Sequence, residues 1–291
     1  MDYPDTVGEL TGILRQGGYL ADRGLATALF VGLSLHRPVL LEGEVGVGKT
    51  EVAKVMADVF GRRLIRLQCY EGIDTSQALY EWDYARQMLY IRALSERQVA
   101  EDEAVDKVFG PRFLLERPLL DAVRAGDQAV LLIDEVDRAD DEFEAFLLEV
   151  LSDFQITIPE IGTIKAERPP LVLLTSNRTR ELHDALKRRC LYHWIGYPPP
   201  EREVEIVLVR APGVSEALAG KVVAAVNRLR EMELAKPPGV AETIDWVRTL
   251  DFLGETELGT EVAGDTLGAV VKERDDLELV RDNLEEITSG G

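Results

Sequence analysis

The run Leu40-Leu41-Glu42-Gly43-Glu44-Val45-Gly46-Val47-Gly48-Lys49-Thr50 leaves the chain few ways to fold. Its last eight residues, Gly43, Glu44, Val45, Gly46, Val47, Gly48, Lys49 and Thr50, fit the spacing GxxxxGK[ST]. In that spacing the glycines let successive backbone N–H groups turn onto one anion, the lysine reaches outer phosphate oxygens and the hydroxyl meets a divalent cation. Such a loop needs a strand before it and a helix after it, whose N-terminus adds partial positive charge. Both are legible. Pro38-Val39-Leu40-Leu41 is a short apolar run, and Lys49 to Phe60 puts Val52, Val55, Met56 and Val59 on one helical face. Lys49 is therefore expected to bridge the β- and γ-phosphates of a nucleotide, and Thr50 to ligate Mg²⁺.

A second apolar run, Ala129 to Ile133, ends in Asp134-Glu135. A buried parallel strand delivers such terminal carboxylates to the edge where α/β sheets bind ligands. Asp134 is expected to bind at the nucleotide's Mg²⁺ through its water shell, and Glu135 to orient and polarise the attacking water. A third run, Leu171 to Thr175, continues through Ser176 to Asn177, whose amide can hydrogen-bond the γ-phosphate or that water. Lys187-Arg188-Arg189 close a short helical segment, Leu182 to Cys190. Arg188 and Arg189 there either complement the helix dipole or reach the γ-phosphate of a neighbouring subunit.

Around these points the pattern is read coarsely. Residues 1–20 are short and polar with a break at Gly17-Gly18, and Asp22 caps a helix from about 22 to 36. Arg63 to Gln68 alternates as a strand, and Asp74 offers a helix cap. The aromatic-rich stretch 80–92 reads either as a buried cluster or as a surface that grips another protein. Residues 95–107 are highly charged, as in a solvated helix or loop. Pro118 to Ala125 is helical and ends at Gly126; Asp140 or Asp141 caps the next helix; residues 155–166 form a hairpin, and Leu191 to Ile195 a strand. Past Tyr197-Pro198-Pro199-Pro200 only helical segments remain, at 201–210, 214–234, 240–253 and 272–287.

The formal net charge of -20 opposes a broad nucleic-acid-binding surface. Acidity concentrates at the end: residues 251–291 hold 12 Asp/Glu against 3 Lys/Arg, which reads as a solvated helical face or as a docking surface for a basic partner. Cys69 and Cys190 stand far apart and outside any CxxC pattern, so neither a disulfide framework nor a zinc site is expected, and a reduced cytoplasmic setting fits. No signal peptide is legible, and no apolar run approaches the ~18 residues of a membrane span.

The order of phosphate loop, strand with Asp134-Glu135, strand ending at Asn177, Arg189 and then helices resembles AAA+ ATPases across nearly the whole chain. Within them it is similar to the MoxR family, and most to the subgroup linked to carbon monoxide dehydrogenase maturation. That subgroup is suggested by Leu40 to Lys54, Arg66 to Asp74 (RLQCYEGID) and Ala78 to Gln87 (ALYEWDYARQ). The resemblance implies an α/β P-loop NTPase domain over 1–197, with a parallel sheet flanked by helices, and a small all-α lid over 198–291. It implies ATP and Mg²⁺ as cofactors, Asn177 as first sensor and Arg189 as finger. It also implies a hexameric ring, a client metalloenzyme and a partner protein with a von Willebrand factor A domain. One departure is plain: where the family begins a lid helix with a run ending in a phosphate-sensing arginine, this chain has Gly239-Val240-Ala241-Glu242-Thr243, with Arg248 later on the same helix.

Three other activities share parts of this pattern. A GTP-dependent switch lacks an Asn-Lys-x-Asp motif, since Arg178-Thr179-Arg180 follow Asn177. A DNA-remodelling ATPase is opposed by the acidity, and a P-loop kinase by the helical C-terminal segments.

Overall fold

The computed structural model describes residues 3–95 and 108–289. The chain opens with α1 (Val7–Gln16), α2 (Arg23–Leu35), β1 (Val39–Gly43), α3 (Lys49–Val59) and β2 (Arg63–Gln68). One turn of helix, α4 (Thr75–Ala78), is followed by β3 (Tyr80–Trp82) and α5 (Tyr84–Ser95). Then come β4 (Leu114–Glu116), α6 (Pro118–Ala125), β5 (Ala129–Asp134), α7 (Asp141–Asp153), β6 (Gln155–Ile158), β7 (Gly162–Lys165) and β8 (Leu171–Ser176). After α8 (Asp184–Arg189) and β9 (Leu191–Ile195) the chain is helical: α9 (Pro200–Arg210), α10 (Glu216–Glu231), α11 (Val240–Phe252), α12 (Thr260–Thr266), α13 (Arg274–Asp282) and α14 (Leu284–Thr288).

Two compact units result. The first comprises Met1–Ile13, Ala21–Glu42 and Val52–His193; the second comprises Leu14–Leu20, Gly43–Glu51 and Trp194–Gly291.

The first unit is built on the three apolar runs, which become the middle strands of a five-stranded sheet in the order β2-β5-β8-β1-β9. Every residue of β1, β5 and β8 is buried, as strands covered on both faces require. The pairs β2/β5, β5/β8 and β8/β1 are parallel, with Gln68 opposite Asp134 and Glu42 opposite Ser176. Parallel pairing sends Gln68, Asp134, Ser176 and Glu42 to one edge of the sheet. Leu40, Leu131, Ile133 and Leu174 join Leu119, Leu147 and Phe143 in the core. Each such fully buried side chain contributes about 1.5–3 kcal/mol by leaving water.

Local signals set the helix ends. Asp22 accepts the Leu25 N–H at 2.7 Å and Asp140 the Phe143 N–H at 2.9 Å. Gly126, with φ of 55°, closes α6 where the sequence places the break. The hairpin is present as β6 and β7, paired antiparallel.

Two readings need correction, and a third, open between two alternatives, divides. Residues 7–16 are helical, because Leu10 and Leu14 bury themselves fully at i, i+4 spacing within a segment that looks polar overall. The last helix is two pieces broken at Asn283, and α12 was not expected. The aromatic stretch divides: Trp82 is buried edge-on to Phe109, whereas Tyr84, Met88 and Leu89 are exposed on α5. The charged stretch 95–107 lies outside the described residues, apart from Ser95 at the end of α5.

The helical part of the second unit packs around Trp246, Val247, Leu250, Leu229, Val226 and Val280. The indole N–H of Trp246 donates to Thr266 Oγ1 at 2.8 Å, which satisfies the one polar atom of that buried ring. Among the described residues no helix is long and apolar enough to cross a membrane.

Candidate functional site

The loop Gly43 to Thr50 leaves the C-terminal end of β1 and enters α3 directly, the strand-to-helix junction its spacing demands. Gly46 and Gly48 take φ of 76° and 92°, the left-handed conformation open to glycine. Gly43 has a different reason to be glycine: a Cβ there would lie 2.0 Å from the Ile195 carbonyl oxygen. Lys49 is 7% exposed, and its ammonium donates to the carbonyls of Gly43 at 2.9 Å and Glu44 at 2.6 Å. The charge is thus held at the loop's own centre, where phosphate oxygens are stronger acceptors than carbonyls.

The same unit supplies the loop's backing. The Ala241 N–H at the start of α11 donates to Gly46 O at 3.1 Å, and a Cβ on Gly239 would meet Val45 O at 2.6 Å and Gly46 Cα at 2.7 Å. Glu242 turns back to accept the Gly239 N–H at 2.9 Å, and Glu51 pairs with Arg210 at 2.8 Å. Thr243, which stands where a sensing arginine was expected, is fully buried and bonds Glu203 and the Gly239 carbonyl. Arg248 donates to the Arg210 carbonyl at 2.6 Å. Gly239, Ala241 and Glu242, at the start of α11, thus lie against the loop.

In the first unit the acids form a connected network. Asp134 is 2% exposed; its Oδ1 accepts the Thr175 hydroxyl at 2.5 Å, and its Oδ2 accepts Arg66 Nε at 3.0 Å and Nη2 at 2.5 Å. Glu135 follows in the left-handed region at φ of 54°, rare for a residue with a side chain and costing on the order of 1–3 kcal/mol. Its N–H is anchored on Thr175 Oγ1 at 2.9 Å, and its Oε2 accepts from Gln68 Nε2 and Arg138, both at 3.1 Å. Arg66 also donates to Gln68 Oε1, so one guanidinium links the two acids.

Asn177 sits just past β8, half-buried, before Arg178 at φ of 58°. That kink is tied down from below: Ser176 Oγ accepts the Arg178 N–H at 3.1 Å while donating to the buried Glu42 at 3.0 Å, and Tyr192 donates to the other Glu42 oxygen at 3.0 Å. Thr179 holds Asp137 through its N–H and hydroxyl, and Arg180 grips Glu144.

Arg188 and Arg189 end α8 and are both exposed. The dipole role falls to Arg37, which donates to the carbonyls of Arg188, Arg189 and Cys190 at 3.2–3.4 Å; the Arg189 guanidinium reaches the Leu148 carbonyl at 3.3 Å. Cys69, behind Asp134, has its thiol pushed up to about 12 by burial and then by the carboxylates of Asp134, Asp137, Glu135 and Glu144. It stays protonated at neutral pH and is packing, not chemistry.

The structure thus gathers Asp134, Glu135 and Asn177 at one sheet edge in the first unit and Gly43 to Thr50 in the second. Sequence reasoning missed Arg66, Gln68, Thr175 and Arg138. The signal for the first two was present, because alternation along β2 puts Arg66 and Gln68 on one face. The Thr50 hydroxyl in the second unit and the Asp134 carboxylate in the first are both hard oxygens, the kind of donor that Mg²⁺ takes while keeping part of its water shell.

The family profile of the AAA domain (dynein-related subfamily) matches residues 38–190, from the start of β1 to the end of α8. The chaperone MoxR1 of Mycobacterium tuberculosis is 30% identical over 217 residues, covering 72% of this chain and 49% of MoxR1. The gas vesicle ATPase GvpN2 of Halobacterium salinarum is 28% identical over 274 residues, covering 87% of this chain and 74% of GvpN2. The chain thus spans about half the length of MoxR1, and under a fifth of the chaperone ClpB of Mycoplasmoides gallisepticum, which it matches over 150 residues. Among solved structures, a mutant of RuvB from Thermotoga maritima superposes with a TM-score of 0.52 at 17% identity, covering 100% of this chain and 82% of RuvB, a likeness of fold. With its profile match running through loop, acids and arginines, the chain belongs to the AAA domain family, dynein-related subfamily, and is a MoxR-like member of the AAA+ proteins.

Proposed function

We propose that this chain binds ATP with Mg²⁺ and hydrolyses it to ADP and phosphate, using the cycle to remodel a client protein. The observation that carries the reading is the loop Gly43 to Thr50, set between a fully buried parallel strand and a helix with the Lys49 ammonium at its centre. Lys49 binds the β- and γ-phosphates. Thr50 and Asp134 supply oxygen donors toward the metal, which when bound draws charge from the phosphate oxygens. Glu135 orients the attacking water and takes up its proton, and Asn177 hydrogen-bonds that water or the γ-phosphate. Little covalent work falls to the protein, so positioning and charge compensation suffice. Lys49→Ala is expected to weaken binding of a fluorescent ATP analogue by at least ~10-fold, the loss of one charge-assisted contact. Unchanged affinity in that titration would remove the phosphate-loop reading.

The functional division adopted in this proposal is a nucleotide-binding domain over 1–197 and a helical lid over 198–291. Arg189, with Arg188 beside it, acts on the γ-phosphate of a neighbouring subunit in a hexameric ring. The exposure of both side chains at the end of α8 supports this, with Arg37 already serving that helix end. Light scattering with and without ATP is expected to show a nucleotide-dependent species of about six 32.4 kDa subunits. In that ring Arg189→Ala is expected to bind ATP normally and hydrolyse it ~1000-fold more slowly. A monomer under both conditions would take away the finger and leave the ATP site.

The client is proposed to be a metalloenzyme of the carbon monoxide dehydrogenase kind, served together with a von Willebrand factor A domain protein. Arg66 to Asp74 and Ala78 to Gln87 support that finer assignment. Copurification of such a partner with the Glu135→Gln protein in ATP tests it.

A further inference from the structure

We propose that Arg66 serves as a counter-cation of Asp134 while no metal is bound, and that Mg²⁺ reaching Asp134 competes with it. Arg66 also donates to Gln68, so it is a positioning residue that acts on Asp134 from β2. The inference rests on the roles given above to Asp134 and Glu135.

Burial and geometry carry it. The Asp134 side chain is 3% exposed and its two oxygens are both engaged, Oδ1 by Thr175 and Oδ2 by two guanidinium N–H groups of Arg66. A carboxylate so far from water needs a cation nearby. The Arg66 side chain is 51% exposed, so acid and base differ in freedom: Asp134 is fixed in the sheet edge, and Arg66 can swing into solvent. Mg²⁺ and a guanidinium at one carboxylate repel each other, and each weakens the other's hold.

The remaining links run through hydrogen bonds. Arg66 Nη2 donates to Gln68 Oε1, which leaves Gln68 Nε2 facing Glu135 Oε2 at 3.1 Å. Alternation along β2 puts Arg66 and Gln68 on one face, and the parallel register sets Gln68 opposite Asp134. The fork geometry of arginine serves both partners at once, where an ammonium offers only a point charge. When Arg66 leaves Asp134, Gln68 loses the contact that orients its amide; among the described residues Arg138 also donates to Glu135, at 3.1 Å on the exposed side.

Two measurements test this without reading turnover. The first is the Mg²⁺ concentration for half-maximal binding of a fluorescent ATP analogue at fixed ionic strength. Arg66→Met is expected to lower that midpoint at least threefold, and Arg66→Lys to stay near wild type. An unchanged or higher midpoint in Arg66→Met overturns the competition. The second is thermal unfolding of metal-free, nucleotide-free protein: Arg66→Met is expected to lower Tm in the wild-type background and to leave it unchanged in Asp134→Asn. Equal drops in both backgrounds overturn the pairing. If wild type binds no nucleotide at any Mg²⁺ concentration, the ATP-site reading fails, and the unfolding cycle still decides whether Arg66 is a counter-cation of Asp134.

Discussion

Glu135→Gln is expected to bind ATP as tightly as wild type and to turn it over at least ~100-fold more slowly, the range for losing a positioned general base. The amide keeps the shape of the side chain and can still accept from Gln68 or Arg138, so the strained backbone at Glu135 and its anchor on Thr175 stay in place. Only the capacity to take a proton is lost. Binding measured by titration and turnover by phosphate release separate the two effects. Near-normal turnover would remove Glu135 from the chemistry and would point to another group that orients the water.

The largest expected loss of stability lies elsewhere, in the helical core of the second unit. Arg230 and Glu203 form a two-pronged pair at 2.6 and 2.8 Å, with side chains 7% and 0% exposed. Further contacts enclose the pair: Arg230 Nε reaches the Pro238 carbonyl at 2.8 Å, its guanidinium lies 4.3 Å from the centre of the Tyr197 ring, and Thr243 donates to Glu203 at 2.7 Å. Glu203→Ala strands a guanidinium in that interior, and breaking one half of a buried pair costs about 3–5 kcal/mol. That is a large share of the roughly 5–15 kcal/mol by which domains are stable. Denaturant unfolding should show the transition of this unit moving to lower concentration. The double change Glu203→Leu with Arg230→Met should recover most of the loss, since no charge is then left buried. A Glu203→Ala protein as stable as wild type would mean that Arg230 reaches water. By contrast, Arg274 with Glu278 is exposed on both sides, and its removal should leave the curve where it is.

The parts of this chain most legible in its sequence are those that local pattern determines alone. The apolar runs Ala129 to Ile133 and Leu171 to Thr175 are long enough to be covered on both faces, and they appear as middle strands of the sheet. The glycine spacing at Gly43 to Thr50 predicts strand, turn and helix in that order. What stayed hidden depends on partners far along the chain. Arg66 was legible only as part of an alternating strand, because nothing in Arg63 to Gln68 says that β2 lies beside β5 in parallel register. Thr243 looked like a missing sensor in a motif, and only packing shows it as a link in the Arg230–Glu203 network. Helix α1 was hidden for a simpler reason: two leucines on one face of a short helix are a weak periodic signal.

The contact between Gly46 and Gly239 bears on how this protein can be taken apart. Gly43–Glu51 pack with Trp194–Gly291 as one unit, and the first residues of α11 rest on the backbone of the loop. A gene fragment ending at Tyr197 would carry the whole glycine signature and none of the α11 backbone it leans on. Weak ligand binding by such a fragment would report a missing support, and fragment screens or minimal-domain expression ought to keep residues 198–253 with the loop.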